Sequence, residues 1–182
     1  MTLKNLPIDK SWTLFLDRDG VINRKLDDDY VKHWIEFEFL DGVCEALKQL
    51  DAIFGTIVIV TNQQCIGKGI ITTDDLDLIH RNMLYEITYL KGRVDKVYFS
   101  PYLHAENHPT RKPGIGMALQ AKKDFPAIDF SRSVIVGDSL SDMEFGRNAG
   151  MKTVYVSDQE KKDDRIDFRV SSLLEFAHAL TT

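Results

Sequence analysis

Cysteine is scarce. Cys44 and Cys65 are the only two in 182 residues, too few for a disulfide framework or a thiolate zinc cluster. They read as small apolar residues of the interior. No apolar run approaches the roughly 20 residues that cross a bilayer. The opening "MTLKNLPIDKSW" has no apolar core of the kind that marks a secretory leader, so a cytoplasmic location is expected, with no membrane partner. A basic excess is missing too. The 23 Lys and Arg stand against 28 Asp and Glu, for a formal net charge of −5. Phosphate backbones are held by basic surfaces, which argues against nucleic acid as the main partner. It leaves room for a small phosphorylated ligand held by two or three local cations. Repeats, low-complexity tracts and linkers are absent as well. What remains is a soluble globular composition, 43% hydrophobic and 28% charged, of a length that suits one domain over residues 1–182 and a monomer.

Strand-like and helical patterns alternate along the chain. Apolar runs predict strands over Trp12–Leu16, Thr56–Asn62, Val94–Ser100, Ser133–Asp138 and Lys152–Val156. Helical spacing predicts helices over Asp41–Leu50, Thr72–Gly92, Gly114–Phe125, Ser141–Gly150 and Ser172–Leu180. Asp41 is the expected N-cap of the first. Ser-x-x-Glu boxes, Ser141 with Glu144 and Ser172 with Glu175, are expected to open the last two. The fold class is therefore α/β: a three-layer, Rossmann-like parallel sheet with helices on both faces. In such a sheet, ligands bind outside the carboxyl ends of the strands, where the strand order reverses.

Each of those ends carries polar residues. The first strand runs into Asp17-Arg18-Asp19-Gly20, the second into Thr61-Asn62-Gln63-Gln64, the fourth into Asp138-Ser139, with Asp142 four residues on. Arg111 and Lys112 precede the fourth strand. Taken singly these have ordinary readings: Asp138 as a cap or turn residue, Asp142 as an exposed first-turn acid, Lys112 as a surface lysine. Their ordered combination does not. Asp17 and Asp19, two residues apart on an extended strand, share a face. Carboxylates gathered in a crevice repel one another unless a cation sits among them, and oxygen ligands favour Mg²⁺. Neutral donors at Thr61 and Asn62, with the point charge of Lys112, are what a transferring phosphoryl group needs. One carboxylate can attack phosphorus. A second can pass protons to the leaving group and from water.

The set D-x-D-G, T-N, R-K-P and G-D-x-x-x-D resembles the haloacid dehalogenase (HAD) superfamily of phosphohydrolases. "DRDGVIN", "YVKHWIEFEFLDGV", "VTNQQCIGKG", "RKPGIGM" and "VGDSLSDMEFGRNAG" are similar to its histidinol-phosphatase-like branch, and within it to the D-glycero-D-manno-heptose 1,7-bisphosphate phosphatases, over about residues 11–180. The resemblance implies a HAD-like fold without a large cap domain. It also implies a Mg²⁺-dependent phosphatase acting on a small phosphorylated metabolite, with a heptose 1,7-bisphosphate the best single substrate. Histidinol phosphate or another sugar phosphate is the alternative, and an idle binding module the rival of a different class. On this likeness Asp17 is the nucleophile, Asp19 the general acid/base, and Lys112 the residue that holds the phosphoryl group. Thr61, Asn62, Gln63 and Arg111 bind substrate. Asp17, Asp19 (through its carbonyl) and Asp138 ligate Mg²⁺, with Asp142 behind them or an occasional ligand. Short loops, Asn23–Glu36, Gln63–Ile70 and Ser100–Arg111, shape the pocket. The chain departs from the family in three places. "SPYLHAENHPTRKPG" has His104, Glu106 and His108 but no cysteine where a zinc loop is common, so a shortened loop without structural zinc is expected. Cys65 stands where glycine is usual, and Ser139 where lysine is common.

Overall fold

A computed structural model describes residues 3–160 and 162–181. Strand β1 spans Thr13–Leu16, helix α1 Val43–Ile53, and strand β2 Thr56–Asn62. A short helix α2, Gln64–Gly67, follows, then α3, Thr73–Tyr89, and β3, Lys96–Ser100. The second half comprises α4 (Gly116–Asp124), β4 (Ser133–Gly137), α5 (Leu140–Ala149), β5 (Lys152–Val156), β6 (Phe168–Val170) and α6 (Leu173–Thr181). The strands form one six-stranded sheet in the order β3-β2-β1-β4-β5-β6, every neighbouring pair parallel. Order reverses at β1, whose Leu16 pairs with Ile59 of β2 on one side and Val136 of β4 on the other.

Alternation along the strands sends side chains to two cores. Leu14 and Leu16, with Ile57, Ile59, Val134 and Val136, meet α1 and α6 through Leu47, Leu50 and Phe176. Ile79, Met83 and Ile87 of α3 join that side. Phe15, Val58, Val60 and Ile135 face the other way, onto Met117 and Ala121 of α4 and Phe145 of α5. A buried side chain of this size contributes about 1.5–3 kcal/mol, so both layers hold the sheet, and β1 lies buried between them.

The expected α/β class and its five strands are present, and the differences lie at element ends. Asp41 does not cap α1. The N-cap position falls on Gly42, at φ +75°, and no side-chain cap bond forms there. The box of α5 is Ser139 with Asp142, two residues before the expected pair: Asp142 N–H meets Ser139 Oγ at 3.3 Å, and Asp142 Oδ2 takes Ser139 N–H at 3.0 Å. Ser172 does accept from Glu175 N–H, but the Glu175 carboxylate reaches back to Ser171 instead. Two elements were not expected. The turn α2 lies inside the Gln63–Ile70 loop, and β6 is three residues long with too little apolar content to show a period. The F-E-F run before α1 packs Phe37 and Phe39 edge to face at 5.1 Å, with Trp34 stacked on Phe37 at 5.0 Å.

Candidate active site

Asp17 leaves β1 at the switch point. Its N–H donates to Val136 O of β4 at 2.9 Å, so the sheet itself places the carboxylate. Asp17 Oδ1 accepts from Arg18 N–H at 2.8 Å and lies 2.8 Å from Lys112 Nζ. The Lys112 ammonium has three protons and finds three acceptors: Asp17, Asp142 Oδ1 at 2.5 Å and Val60 O at 2.7 Å. Lys112 is 4% exposed and Asp142 fully buried. Burial alone lowers the lysine's pKa, but the two carboxylates outweigh it and raise it, so the ammonium stays charged. Asn62, the last residue of β2, clamps the lysine's own peptide. Its Oδ1 takes Lys112 N–H at 3.0 Å and its Nδ2 donates to Lys112 O at 3.2 Å.

Asp19 lines the same crevice as Asp17. Its carboxylate accepts from Arg18 Nη2 (2.8 and 3.0 Å), Asn23 Nδ2 (3.0 Å) and Gln63 Nε2 (2.8 Å). Burial pushes its pKa up, but Arg18, Asn23 and Gln63 together overcome this and hold it below the usual carboxylate range. Gln63 Nε2 also donates to Thr61 Oγ1 at 2.8 Å, which leaves the Thr61 hydroxyl its own proton to give. Thr61, Asn62, Gln63, Arg111 and Lys112 all line this crevice. Asn62 and Gln63, however, direct their side-chain amides onto Lys112 and Asp19. Arg111 Nη1 donates to Tyr102 O at 3.0 Å, while its Nε is buried without a partner among the described residues.

Asp138 follows β4. Its Oδ2 accepts from Lys25 Nζ at 2.9 Å, and its Oδ1 is buried with no partner among the described residues. Asp17, Asp138 and Asp142 bring one oxygen each within 4.8 Å of one another. Burial, and next the charge of Asp142, raise the Asp17 carboxyl to about 8 against the pull of Lys112. Burial likewise raises Asp138, opposed by Lys25. Three features suit a hard divalent cation: an all-oxygen donor set, the orphaned Asp138 Oδ1, and Gly20. The last sits at φ +87°, and a Cβ there would lie 2.3 Å from Asp138 Oδ2, so only glycine leaves Asp138 its place. Both Asp142 oxygens are already engaged, by Lys112 and by the α5 cap. Asp17 and Asp138 are therefore the carboxylates best free to take such an ion. The side chain of Asp19 is also engaged, by Arg18, Asn23 and Gln63.

Comparison with known proteins places the chain. A HAD-hydrolase-like family model matches residues 109–175. The D-glycero-alpha-D-manno-heptose-1,7-bisphosphate 7-phosphatase of Campylobacter jejuni is 40% identical over 85% of this chain and 87% of its own. The chain belongs to the heptose-bisphosphate phosphatase family. Another member, from Rhodopseudomonas palustris, is named for the beta anomer and is 39% identical over 75% of this chain and 78% of its own. The crystal structure of the D,D-heptose 1,7-bisphosphate phosphatase from B. bronchiseptica, complexed with magnesium and phosphate, superposes with a TM-score of 0.83 at 28% identity, over 92% of this chain and 96% of that one. The chain is thus a HAD-like hydrolase, a phosphatase by family.

Within the family's frame, the loop before Arg111 is held by its own contacts. His108 stacks on Tyr102 with ring centroids 3.4 Å apart, and its Nδ1 meets Thr110 Oγ1 at 2.7 Å. The Glu106 carboxylate accepts from Leu103 N–H. Sequence reasoning missed three residues around the site. Arg18 is the largest fully buried side chain, its Nη1 3.1 Å from His80 Nε2 on α3. Burial, and secondarily Arg18, depress the His80 pKa to about 3, so the ring is a neutral acceptor. The signal was present: Arg18 stands between the two acids of D-x-D, and His80 lies on the Leu76–Met83–Ile87 stripe of α3. The third is Lys25, which carries no motif. Lys68, within the VTNQQCIGKG stretch, donates to Tyr30 Oη at 2.8 Å, beside Gln64 Nε2 at 3.0 Å.

Proposed function

We propose that the chain is a Mg²⁺-dependent phosphomonoesterase that removes the 7-phosphate from a D-glycero-D-manno-heptose 1,7-bisphosphate through an aspartyl-phosphate. The observation that carries this is Asp17: a carboxylate fixed by the sheet at the switch point, 2.8 Å from a buried lysine and grouped with Asp138, whose Oδ1 has no partner. Asp17 and Asp138, with the carbonyl of Asp19, would hold the ion. When bound, it offsets their charge and that of the phosphoryl oxygens, bringing the raised Asp17 into its reactive carboxylate form.

In the first step, an Asp17 carboxylate oxygen bonds to phosphorus as the bond from phosphorus to the sugar oxygen breaks. Asp19 gives that oxygen its proton. In the second, water attacks the aspartyl-phosphate, Asp19 takes the water's proton, and the Asp17 carboxylate leaves as inorganic phosphate forms. Arg18 and Gln63 favour the carboxylate form that the second step needs, and the negative charge of the incoming substrate raises Asp19 towards the acid form for the first. Lys112 and Thr61 donate to the phosphoryl oxygens, Lys112 exchanging a protein acceptor for them, and Asn62 and Gln63 keep both donors in place. Arg111, with an unpartnered Nε, suits the sugar or its second phosphate. Relatives named for each anomer leave both as candidates. Residues 1–182 are read as one domain and a monomer. The net negative charge and the lack, among the described residues, of any helix long and apolar enough to cross a membrane support a cytoplasmic setting away from nucleic acid and membrane.

The test is phosphate release from both anomers of the heptose bisphosphate, other sugar phosphates, histidinol phosphate and a 3′-phosphorylated oligonucleotide, with Mg²⁺ and with EDTA. Mg²⁺-dependent release from a heptose bisphosphate well above the rest is expected. Preference for histidinol phosphate would overturn the substrate, and no release from any would overturn the activity.

A further inference from the structure

The crevice holds four cationic side chains, and two are committed to protein acceptors. Lys112 meets Asp17, Asp142 and Val60. Arg18 meets Asp19 and His80. Arg111 sits on the far loop, with one nitrogen on Tyr102 O. Lys25 is different. Its side chain is 55% exposed, and its ammonium has one acceptor among the described residues, Asp138 Oδ2 at 2.9 Å. Two of its three protons are therefore free. The two residues before it are tied down. Asn23 is buried and donates to Asp19 Oδ1 and Arg24 O, and Arg24 N–H donates to Glu38 O. From that anchored stretch the half-exposed arm of Lys25 reaches Asp138. The residue after Asp138 is the uncharged Ser139, whose hydroxyl is engaged in the α5 cap.

Lys25 thus holds an oxygen of the same carboxylate whose other oxygen, Oδ1, is orphaned. Three carboxyl groups, Asp17, Asp138 and Asp142, face two ammoniums, Lys25 and Lys112, so the cluster carries no net positive charge. A divalent ion beside Asp138 would make it positive, and Lys25 would then be repelled where it was held. A phosphate dianion arriving at the crevice reverses the sign again. Resting on the proposed phosphatase reading, we propose that Lys25 is an exchangeable counter-ion. It neutralises Asp138 before the divalent ion binds, yields the carboxylate to that ion, and then turns its ammonium onto the substrate's phosphate as a binding residue.

This assignment gives Lys25 opposite effects on two ligands, which a merely structural role does not. Lys25→Met keeps the length of the arm and removes the charge. Calorimetric titration with MgCl₂ alone should show the variant binding Mg²⁺ several-fold more tightly than wild type, because its competitor is gone. Titration of the Mg²⁺-loaded protein with inorganic phosphate should show weaker binding, by about the tenfold that one charge-assisted contact is worth. KM for the sugar bisphosphate should rise with it, and kcat change less. Lys25→Arg should keep both affinities near wild type. Unchanged Mg²⁺ and phosphate affinities, or two that weaken together, would overturn the assignment of Lys25. Failure of wild type itself to release phosphate would instead overturn the underlying phosphatase reading.

Discussion

Replacing Lys112 by Met tests how the crevice is held together. The substitution keeps the length and apolar character of the arm and removes one charge. Its ammonium is 2.8 Å from Asp17 and 2.5 Å from Asp142, so both carboxylates lose their counter-charge inside a buried site. Breaking a buried pair in this way costs about 3–5 kcal/mol. For a domain of this length each kcal/mol lowers Tm by about 2–4 °C, so a fall of about 6–20 °C is expected in calorimetry or thermal circular dichroism. The penalty should shrink as pH falls, because a protonated carboxyl needs no counter-charge. Phosphatase turnover should fall by about a hundred- to a thousandfold, as when one stabilising donor of a transition state is removed. The double variant Lys112→Met/Asp142→Asn separates charge from packing. It removes one of the stranded carboxylates, so it should regain much of the lost Tm without regaining turnover. A Lys112→Met protein melting within about 2 °C of wild type, less than 1 kcal/mol, would refute this reasoning. So would a double variant less stable than the single one.

Two further perturbations read other parts of the site. Gly20→Ala places a Cβ 2.3 Å from Asp138 Oδ2 at a φ of +87°. It should weaken Mg²⁺ binding by about tenfold or more through strain of about 1–3 kcal/mol, with circular dichroism unchanged; unaltered Mg²⁺ affinity would contradict the placement of Asp138. His80 has a folded pKa near 3 against 6.5 unfolded, so below pH 6.5 the unfolded chain takes up a proton that the folded one refuses. Stability should therefore fall with falling pH at up to about 1.4 kcal/mol per unit across that window. His80→Gln, which keeps an acceptor for Arg18, should flatten that slope in denaturant titrations; an identical slope would show that His80 is not a buried neutral ring.

The fold and the site were legible to different depths. Continuous apolar runs such as TIVIVTN announce a strand buried on both faces, and the alternation with helices announces a parallel sheet. The position of Asp17, Asp19, Thr61 and Asp138 at carboxyl ends then follows from topology, because a parallel sheet brings all of those ends to one edge. Asp142 and Ser139 show where reading residue types stops. The Ser-x-x-Glu pair two residues on matches the same cap signature, and only the packing of α5 against β4 decides between the two boxes. Lys112 reads as an ordinary surface lysine by type, and its burial depends on Asn62 reaching across 50 positions to hold its peptide. Lys25 and β6 gave no signal at all. A loop lysine has no period, and a three-residue strand is too short to show one.

The most direct measurement is of the covalent intermediate. The protein is mixed with a heptose bisphosphate and Mg²⁺, quenched in acid within one turnover, digested, and read by mass spectrometry, with borohydride reduction marking the acyl phosphate. An aspartyl-phosphate mechanism predicts the mass of one phosphoryl group on the peptide carrying Asp17, conversion of that residue to homoserine on reduction, and no label or turnover in Asp17→Asn. Turnover in the wild type without a label, together with a near-normal rate in Asp17→Asn, would contradict it.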